Sequence, residues 1–470
     1  MTTLVAGIDS STQSCKVVVC EAATGEVVRH SRSAHPDGTS VHPERWTEAV
    51  ERAVEGGLLD GVSALAIGGQ QHGMVALDEN DQVIRDALLW NDTRSAHDAA
   101  DLVAEWGGPA VWAREMGVVP VASFTVSKVR WLARHEPEYA ERVARIVLPH
   151  DYVTGRFLQA HGGFEQWTTD RGDASGTGYW STKDGDYRRD IMHRALGHDF
   201  EAPKVLAPNG VAGITSGGML LASGTGDNMG AALGLGLQPG DVVVSLGTSG
   251  TVFTASTVRP HDPTGTVAGF ADATGAYLPL MCTLNAARVM TAAASMLGVD
   301  LERLNELAMD TQPGAQGLSF LPYLDGERTP NLPDATGTLS GLTRANATPG
   351  NIARAAVEGM LLNLRGGVEA LRVQGADVTR VLLIGGASAS MSVQSIAASI
   401  FGVPVAVPTP AEYVALGAAK QAAWALAGGD SPPEWPLHLA NEAASASAAA
   451  DPADLIHRYE ALLAAMHGQQ

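Results

Sequence analysis

The residues Leu4-Val5-Ala6-Gly7-Ile8-Asp9-Ser10-Ser11-Thr12-Gln13-Ser14-Cys15-Lys16-Val17-Val18-Val19 decide the fold. Residues 4–8 read as an apolar strand, 9–14 as a tight polar turn, and 16–20 as the returning strand of a hairpin. A turn packed with Ser and Thr presents backbone N–H groups and hydroxyls at one point, which is what phosphate oxygens require. One such hairpin carries little weight, because most turns of this composition are only turns. The plan returns past mid-chain: an apolar strand at 241–246 runs into Gly247-Thr248-Ser249-Gly250 and then Thr251-Val252-Phe253. Two such hairpins, each opening a long run of strands followed by helices, predict a duplicated α/β fold with phosphates clamped between the halves.

Working outward, strands are expected at 4–8, 16–20 and 27–31, the last two joined through Thr24-Gly25-Glu26. Pro43 opens a helix over about 44–56 at the favoured first-turn position. A buried strand at 62–67 ends in Gly68-Gly69-Gln70-Gln71-His72-Gly73, and 74–77 with 83–84 read as a short hairpin. Helices follow to about 145, then a mixed stretch over 162–186. Glycine-rich sequence at 224–240 leads into the second hairpin, so the lobe boundary is placed at about 240. The second half has a long amphipathic helix over 350–373 and a strand at 381–384. The turn Gly385-Gly386 and a helix over 390–401 come next, then a strand at 405–407 and a helix over 411–427. Residues 428–436 read as a linker, 443–450 as low-complexity Ala/Ser, and 452–467 as a closing helix. Alternation of this kind, begun by antiparallel strands, predicts mixed sheets flanked by helices. The expected organisation is an N-terminal lobe over 1–240, a C-terminal lobe over 241–430, a linker and helix over 431–470, and a cleft between the lobes.

With 470 residues, 45% of them apolar and 17% charged, the chain suits two or three domains with large cores. No window of about 18 residues is apolar enough to span a membrane, and residues 1–8 lack a basic region or cleavage site typical of secretion. Cys15, Cys20 and Cys282 show no metal-ligand spacing. A reduced, cytoplasmic protein is expected. The net charge of −20 argues against a nucleic-acid surface, which needs a basic stripe. It does not argue against a nucleotide, whose phosphates can be held by a divalent cation and backbone donors.

Two further stretches carry a family resemblance. Ser123-Phe124-Thr125-Val126-Ser127-Lys128-Val129-Arg130-Trp131-Leu132 resembles the first signature of the FGGY carbohydrate kinases. Gly337-Thr338-Leu339-Ser340-Gly341-Leu342, followed by Asn351-Ile352 and Ala355-Ala356-Val357-Glu358-Gly359, resembles the second. The resemblance runs from Gly7 to about Ala423 with motif order kept. It implies two actin-like, ribonuclease-H-like lobes with a catalytic cleft. Gly68–Gly73, Leu89-Trp90-Asn91-Asp92-Thr93-Arg94, Asp173-Ala174-Ser175-Gly176-Thr177 and Cys282-Thr283-Leu284-Asn285 are most similar to members that phosphorylate D-xylulose at its 5-hydroxyl. Glycerol kinases typically carry Arg-Glu at the Gln71-His72 position.

The resemblance also implies roles. Asp227, in Gly224-Thr225-Gly226-Asp227-Asn228, is expected to be the general base; a carboxylate in a glycine-rich loop can approach a small polyol closely. Phosphoryl transfer needs an oriented nucleophile and neutralised charge more than covalent help. Asp9 stands where the superfamily holds Mg²⁺ through water, although an Asx-turn would use the same residue. Thr12, Lys16, Gly247 and Thr248 are expected at the phosphates of ATP, and Gly386 and Ala387 at the adenine. Gln71, His72, Asp227 and Asn228 are expected at the sugar, with Trp90, Asn91, Asp92 and Arg94 either lining the pocket or supporting it. Ala387, Ala389 and Val393 depart from the glycine, basic residue and tryptophan common in relatives, which bears on nucleotide affinity. The expected partners are a ketose and ATP, with a homodimer as one possible assembly. Three rivals stand beside this reading: a kinase for ribulose, a hexulose or a glycerol-like polyol; an actin-like ATPase without an acceptor; and a sugar-binding regulator without catalysis. The Gln71-His72 and Asp227-Asn228 pairs speak against the second, and retained Asp9 and Asp227 against the third.

Overall fold

The computed structural model describes residues 2–442 and 452–468. The chain forms two compact units, each discontinuous in sequence. The first comprises Met1–Leu237, Ser256–Leu278 and Ala411–Leu437; the second comprises Gln238–Ala255, Pro279–Pro410 and His438–Gln470. Two segments beyond residue 240 therefore pack with the N-terminal part of the chain.

In the first unit β1 (Leu4–Ser10), β2 (Ser14–Glu21) and β3 (Val27–Ala34) form an antiparallel meander. β4 (Val62–Gly69) lies parallel to β1 on its other side. Beyond it come β5 (Val211–Ile214), β6 (Leu220–Ala222) and the short β7 (Thr225–Gly226). The sheet order is β5-β6-β4-β1-β2-β3, and β7 runs parallel to the end of β4. Alternation sorts the side chains onto two faces. Ala6, Ile8, Cys15, Val17, Leu65 and Ile67 pack with Trp46 and Ala49 of helix Glu44–Val54 and with Tyr152 and Val153 of helix Pro149–His161. On the opposite face Val5, Val18, Cys20, Ala64 and Ala66 meet Ala415, Ala418, Ala419 and Ala422 of helix Tyr413–Ala427. Burial on both faces explains why these strands read as nearly continuous apolar runs.

The helix Tyr413–Ala427 docks at backbone distance. A Cβ on Gly7 would lie 1.9 Å from the carbonyl oxygen of Ala415, and one on Gly417 would lie 1.8 Å from that of Gly230. Only glycine fits at either contact. A lining of alanines on the facing helix lets the main chains approach that closely.

The second unit repeats the plan. β8 (Asp241–Leu246) and β9 (Gly250–Thr254) form an antiparallel hairpin, extended by β10 (Tyr277–Thr283). β11 (Arg380–Ile384) and β12 (Val405–Pro408) continue in parallel from β8, and β13 (Leu439–Glu442) closes the edge antiparallel. The meander-then-parallel order of β3-β2-β1-β4 thus recurs as β10-β9-β8-β11. Mixed sheets flanked by helices are present in both units, as the duplicated hairpins predicted.

The predicted short hairpin of 74–77 with 83–84 is present in minimal form: Ile84 N–H donates to the Ala76 carbonyl and Asp78 N–H to that of Gln82, both at 3.0 Å. Val75–Leu77 pairs in addition with Arg145–Val147, so the hairpin's own ladder is the one bridge from Leu77 to Val83. The intervening turn exists, fixed by Asn80 and Gln82 N–H bonds to Asp78, but so short a ribbon buries too little to stand alone. Asp227 differs from expectation. It begins helix Asp227–Leu235 rather than sitting in a loop. The closing helix is Ala453–His467, with Tyr459 Oη 3.3 Å from that of Tyr323 in the same unit. Residues 443–450 lie outside the described residues. Among the described residues no helix is long and apolar enough to cross a membrane.

Candidate active site

Three parallel strands of the first unit end together. Asp9 on β1 is in register with Gly68 on β4, and Gly68 with Thr225 on β7. With strands about 4.8 Å apart, Asp9 and Thr225 stand about 10 Å from each other across the sheet. The carboxyl ends of parallel strands are where open α/β sheets place ligands. Here those ends carry Asp9, the run Gln70-Gln71-His72, and Asp227.

Asp9 is buried, accepts a hydrogen bond from Ser11 Oγ, and lies 3.5 Å from Lys16 Nζ. Burial raises its pKa above the ordinary carboxylate value, with Lys16 pulling the other way. Lys16 is opposite Asp9 in the β1–β2 register, and its ammonium also sits 2.7 Å from Glu412 Oε2. Burial works against its charge, yet Asp9 and Glu412 hold the lysine above its ordinary pKa. Glu412 immediately precedes helix Tyr413–Ala427 and reaches Lys16 because that helix covers the Gly7 face of β1. No sequence signal marks this residue: it lies some 400 positions from Asp9, and only the return of the helix brings it there.

Asp227 Oδ1 accepts hydrogen bonds from the N–H (2.8 Å) and Nδ2 (2.9 Å) of Asn228. Asn228 Nδ2 also donates to Gln71 Oε1 at 3.1 Å. Burial, and then the charge of Asp9, push the Asp227 pKa up to about 7. A carboxylate at that value accepts a proton readily near neutral pH.

The amide nitrogens of Gln70 and Gln71 are buried and have no partner among the described residues. Buried donors left unmatched are costly, so each of these amides is a candidate to meet an acceptor oxygen. His72 adopts φ 68°, and its Nδ1 lies 2.7 Å from the Gly176 carbonyl oxygen. The ring packs against Phe124 and Phe270, at 4.8 and 5.6 Å between centroids, and those two rings also touch each other at 6.1 Å. Phe124 stands within the signature-like stretch 123–132, whereas no sequence signal marks Phe270, which arrives with the segment Ser256–Leu278.

Thr12 Oγ1 accepts from Trp90 Nε1 at 2.9 Å and lies 3.5 Å from Gln70 Oε1. Trp90 therefore touches a candidate residue. Asn91 donates to the Gly38 carbonyl, Asp92 binds Thr39 and Arg94, and the Arg94 guanidinium lies 5.0 Å from the Trp131 ring centroid. These three brace the loop.

Beneath the strand ends lies His150, fully buried, its Nε2 within 3.3 Å of Asp151, Asp170 and Asp173. Burial pulls its pKa down, but the three carboxylates overcome this and raise it to about 9. A Cβ on Gly69 would meet His150 at 3.0 Å and one on Gly224 at 2.6 Å, so the roots of both site loops rest on this ion cluster.

In the second unit, Ala287 N–H donates to the Gly247 carbonyl (2.9 Å) and Ala286 N–H to that of Thr248 (3.3 Å). The carbonyls of the second hairpin are thereby engaged by the start of helix Ala287–Leu297. Gly386 and Ala387 form the short 3₁₀ turn Gly386–Ala389 after β11. Gly385 before them has φ 87°, and a Cβ there would lie 2.8 Å from Leu246 main-chain atoms. The second hairpin and the glycine turn thus adjoin at the ends of neighbouring parallel strands β8 and β11.

A duplicated sheet of this order, with polar and acidic residues at its strand ends, fits the fold of a two-domain sugar kinase. The chain belongs to the FGGY family of carbohydrate kinases: the family's N-terminal domain matches residues 4–234 and its C-terminal domain residues 242–426. It is 46% identical over 443 residues to the xylulose kinase of Streptomyces coelicolor, covering 91% of this chain and 89% of that one. It is 45% identical over 442 residues to the xylulose kinase of Streptomyces rubiginosus, with the same coverage of each. The crystal structure of xylulose kinase from Bifidobacterium adolescentis superposes with a TM-score of 0.90 at 45% identity, over 98% of this chain and 99% of that one.

Proposed function

We propose that this carbohydrate kinase transfers the γ-phosphoryl group of ATP to the 5-hydroxyl of D-xylulose. The observation that carries the reading is the chain Gln71–Asn228–Asp227, in which the buried amide nitrogen of Gln71, like that of its neighbour Gln70, is unpartnered among the described residues. It offers donors and acceptors for several sugar hydroxyls around one carboxylate. The names of the relatives described above support xylulose as the sugar.

In this reading Asp227, as the carboxylate, takes the proton of the 5-hydroxyl while that oxygen attacks the γ-phosphorus and ADP departs. Asn228 holds Asp227 Oδ1 with two N–H donors, and the second oxygen takes the hydroxyl. Gln71 and His72 orient the sugar, and the Phe124–Phe270 contacts fix the imidazole. As ATP contacts we propose Thr12 and Lys16, and separately Gly247, Thr248, Gly386 and Ala387. For Mg²⁺ the candidate is Asp9. Among the described residues no group of three or more His, Cys, Asp or Glu is arranged to hold a metal. A single buried carboxylate suits Mg²⁺, which keeps several waters and binds largely through phosphate oxygens. When bound, it would supply charge neutralisation of the β- and γ-phosphates.

The test is ADP release measured across a panel of ketoses and polyols. D-Xylulose should give the highest kcat/KM, well above glycerol, because a site with buried donors rejects analogues that leave them unpaired. Ribulose or glycerol winning outright would sink the assignment of the sugar. His72→Asn keeps a residue that tolerates positive φ but loses the imidazole. It should lower kcat/KM for xylulose by about 1–3 kcal/mol with the KM for ATP nearly unchanged.

The nucleotide side is tested at Ala387, whose methyl stands where relatives carry hydrogen. Ala387→Gly should tighten the KM for ATP or leave it unchanged, with about 0.5–1 kcal/mol lost in stability from the looser unfolded chain. A several-fold rise in that KM, in a folded protein, would mark the methyl as a nucleotide contact.

A further inference from the structure

Glu327 of the second unit is buried, and its carboxylate is met by four N–H donors. Oε1 accepts from the backbone N–H of Leu284 at 2.5 Å and of Arg328 at 2.7 Å. Oε2 accepts from the side-chain amides of Asn285 at 3.0 Å and Asn363 at 2.9 Å. Asn285 is pinned further: its Nδ2 donates to the Gly326 carbonyl (2.7 Å), and its Oδ1 accepts from Leu324 N–H (3.2 Å). Three segments are joined through one carboxylate: the turn after β10, the loop 324–328, and helix Pro349–Val373. The residues directly after Asn285 are Ala286 and Ala287, whose N–H groups engage the carbonyls of Thr248 and Gly247.

We propose that Glu327 is a positioning residue for nucleotide binding: by locking residues 284–287 it fixes the carbonyls of the Gly247–Gly250 hairpin and hence the orientation of its N–H groups toward phosphate oxygens. The inference rests on the reading that this hairpin holds ATP. All four partners of Glu327 are donors, so only a carboxylate satisfies them. Glutamine has the same shape but turns its own N–H groups against two donors, leaving them unmatched in a buried place. The turn 284–287 then loses its anchor, and the peptide planes of the hairpin are free to rotate. Nothing in this chain of contacts touches the sugar residues, all of which lie in the first unit.

The experiment measures KM for ATP and for xylulose, ADP binding by calorimetry and thermal unfolding, on Glu327→Gln, Asn363→Leu and Thr248→Asp. Glu327→Gln is expected to raise the KM for ATP and the Kd for ADP by about tenfold, as when a single strong hydrogen bond is removed, with the KM for xylulose within about twofold. Asn363→Leu removes one donor and keeps the carboxylate. It should give a smaller change of the same kind, and it carries the test if Glu327→Gln does not fold. Thr248→Asp places negative charge on the hairpin and reports on the underlying reading independently. If Thr248→Asp weakens ADP while the Glu327 and Asn363 variants bind it normally, or weaken both substrates alike with lower melting temperature, Glu327 is merely structural and the inference fails. If Thr248→Asp leaves ADP binding unchanged, the hairpin does not hold the nucleotide, and both readings fall.

Discussion

Asp227→Ala is expected to lower kcat by about 10²–10⁴, the range for removing a positioned base, or about 3–5 kcal/mol of barrier, while sugar and ATP still bind. Asp227→Asn should be nearly as slow, since an amide can bond the hydroxyl but cannot accept its proton. The wild-type pH dependence follows from the raised pKa. Only the carboxylate form acts as base, so kcat/KM should rise with pH and level off above about 7. The same shift sets a stability effect of opposite sense. A carboxyl whose folded pKa exceeds its unfolded value of 3.8 favours the native state when protonated. That contribution is full below about pH 4 and is lost as pH rises through about 7. Asp227→Asn should therefore be more stable than the wild type at pH 8, by up to about 4 kcal/mol, and no more stable near pH 4. A folded Asp227→Ala protein with wild-type turnover would rule the base role out.

Gly417→Val is expected to have the largest effect on the fold. The new Cβ would stand 1.8 Å from the Gly230 carbonyl oxygen, a main-chain atom that no rotamer change can move aside. Helices Tyr413–Ala427 and Asp227–Leu235 would have to separate. Overpacking of this kind costs about 1–3 kcal/mol where side chains can yield, and more is expected against main chain. Melting temperature should fall steeply, and activity with it, since Asp227 begins one of the two helices and Glu412 precedes the other. Gly366→Ala, on an open face of helix Pro349–Val373 with nothing within 4 Å of its Cβ, is the control and should leave the melting temperature unchanged or slightly raised. A Gly417→Val protein melting like the wild type would contradict the close packing described for these helices.

Local pattern made much of this legible. Both hairpins were readable because a strand, a Ser/Thr/Gly turn and a second strand are contiguous, and the order of Asp9, Gln71-His72 and Asp227 follows from strands that end in those residues. The return of Ser256–Leu278 and Ala411–Leu437 to the first unit had no such mark. Alanine-rich helices pack equally well on many sheets, and nothing in residues 411–427 names β1 as the partner. Glu412 and Phe270 were invisible for that reason. The sequence points to a loop at Asp227 because Gly224, Gly226, Gly230 and Gly234 argue against a helix by propensity; tertiary contact overrides this, as Gly230 and Gly234 are the points where the other helix approaches.

Because helix Tyr413–Ala427 covers one face of the N-terminal sheet, the first unit is finished only about 200 residues after Leu237 has been synthesised. At about 5–20 residues per second the ribosome needs roughly 10–40 s to deliver it. Throughout that interval the face formed by Val5, Val18, Ala64 and Ala66 has no cover of its own. Premature termination anywhere before residue 411 leaves a sheet with one sticky side, so truncated products of this chain are candidates for chaperone capture or degradation rather than for independent folding.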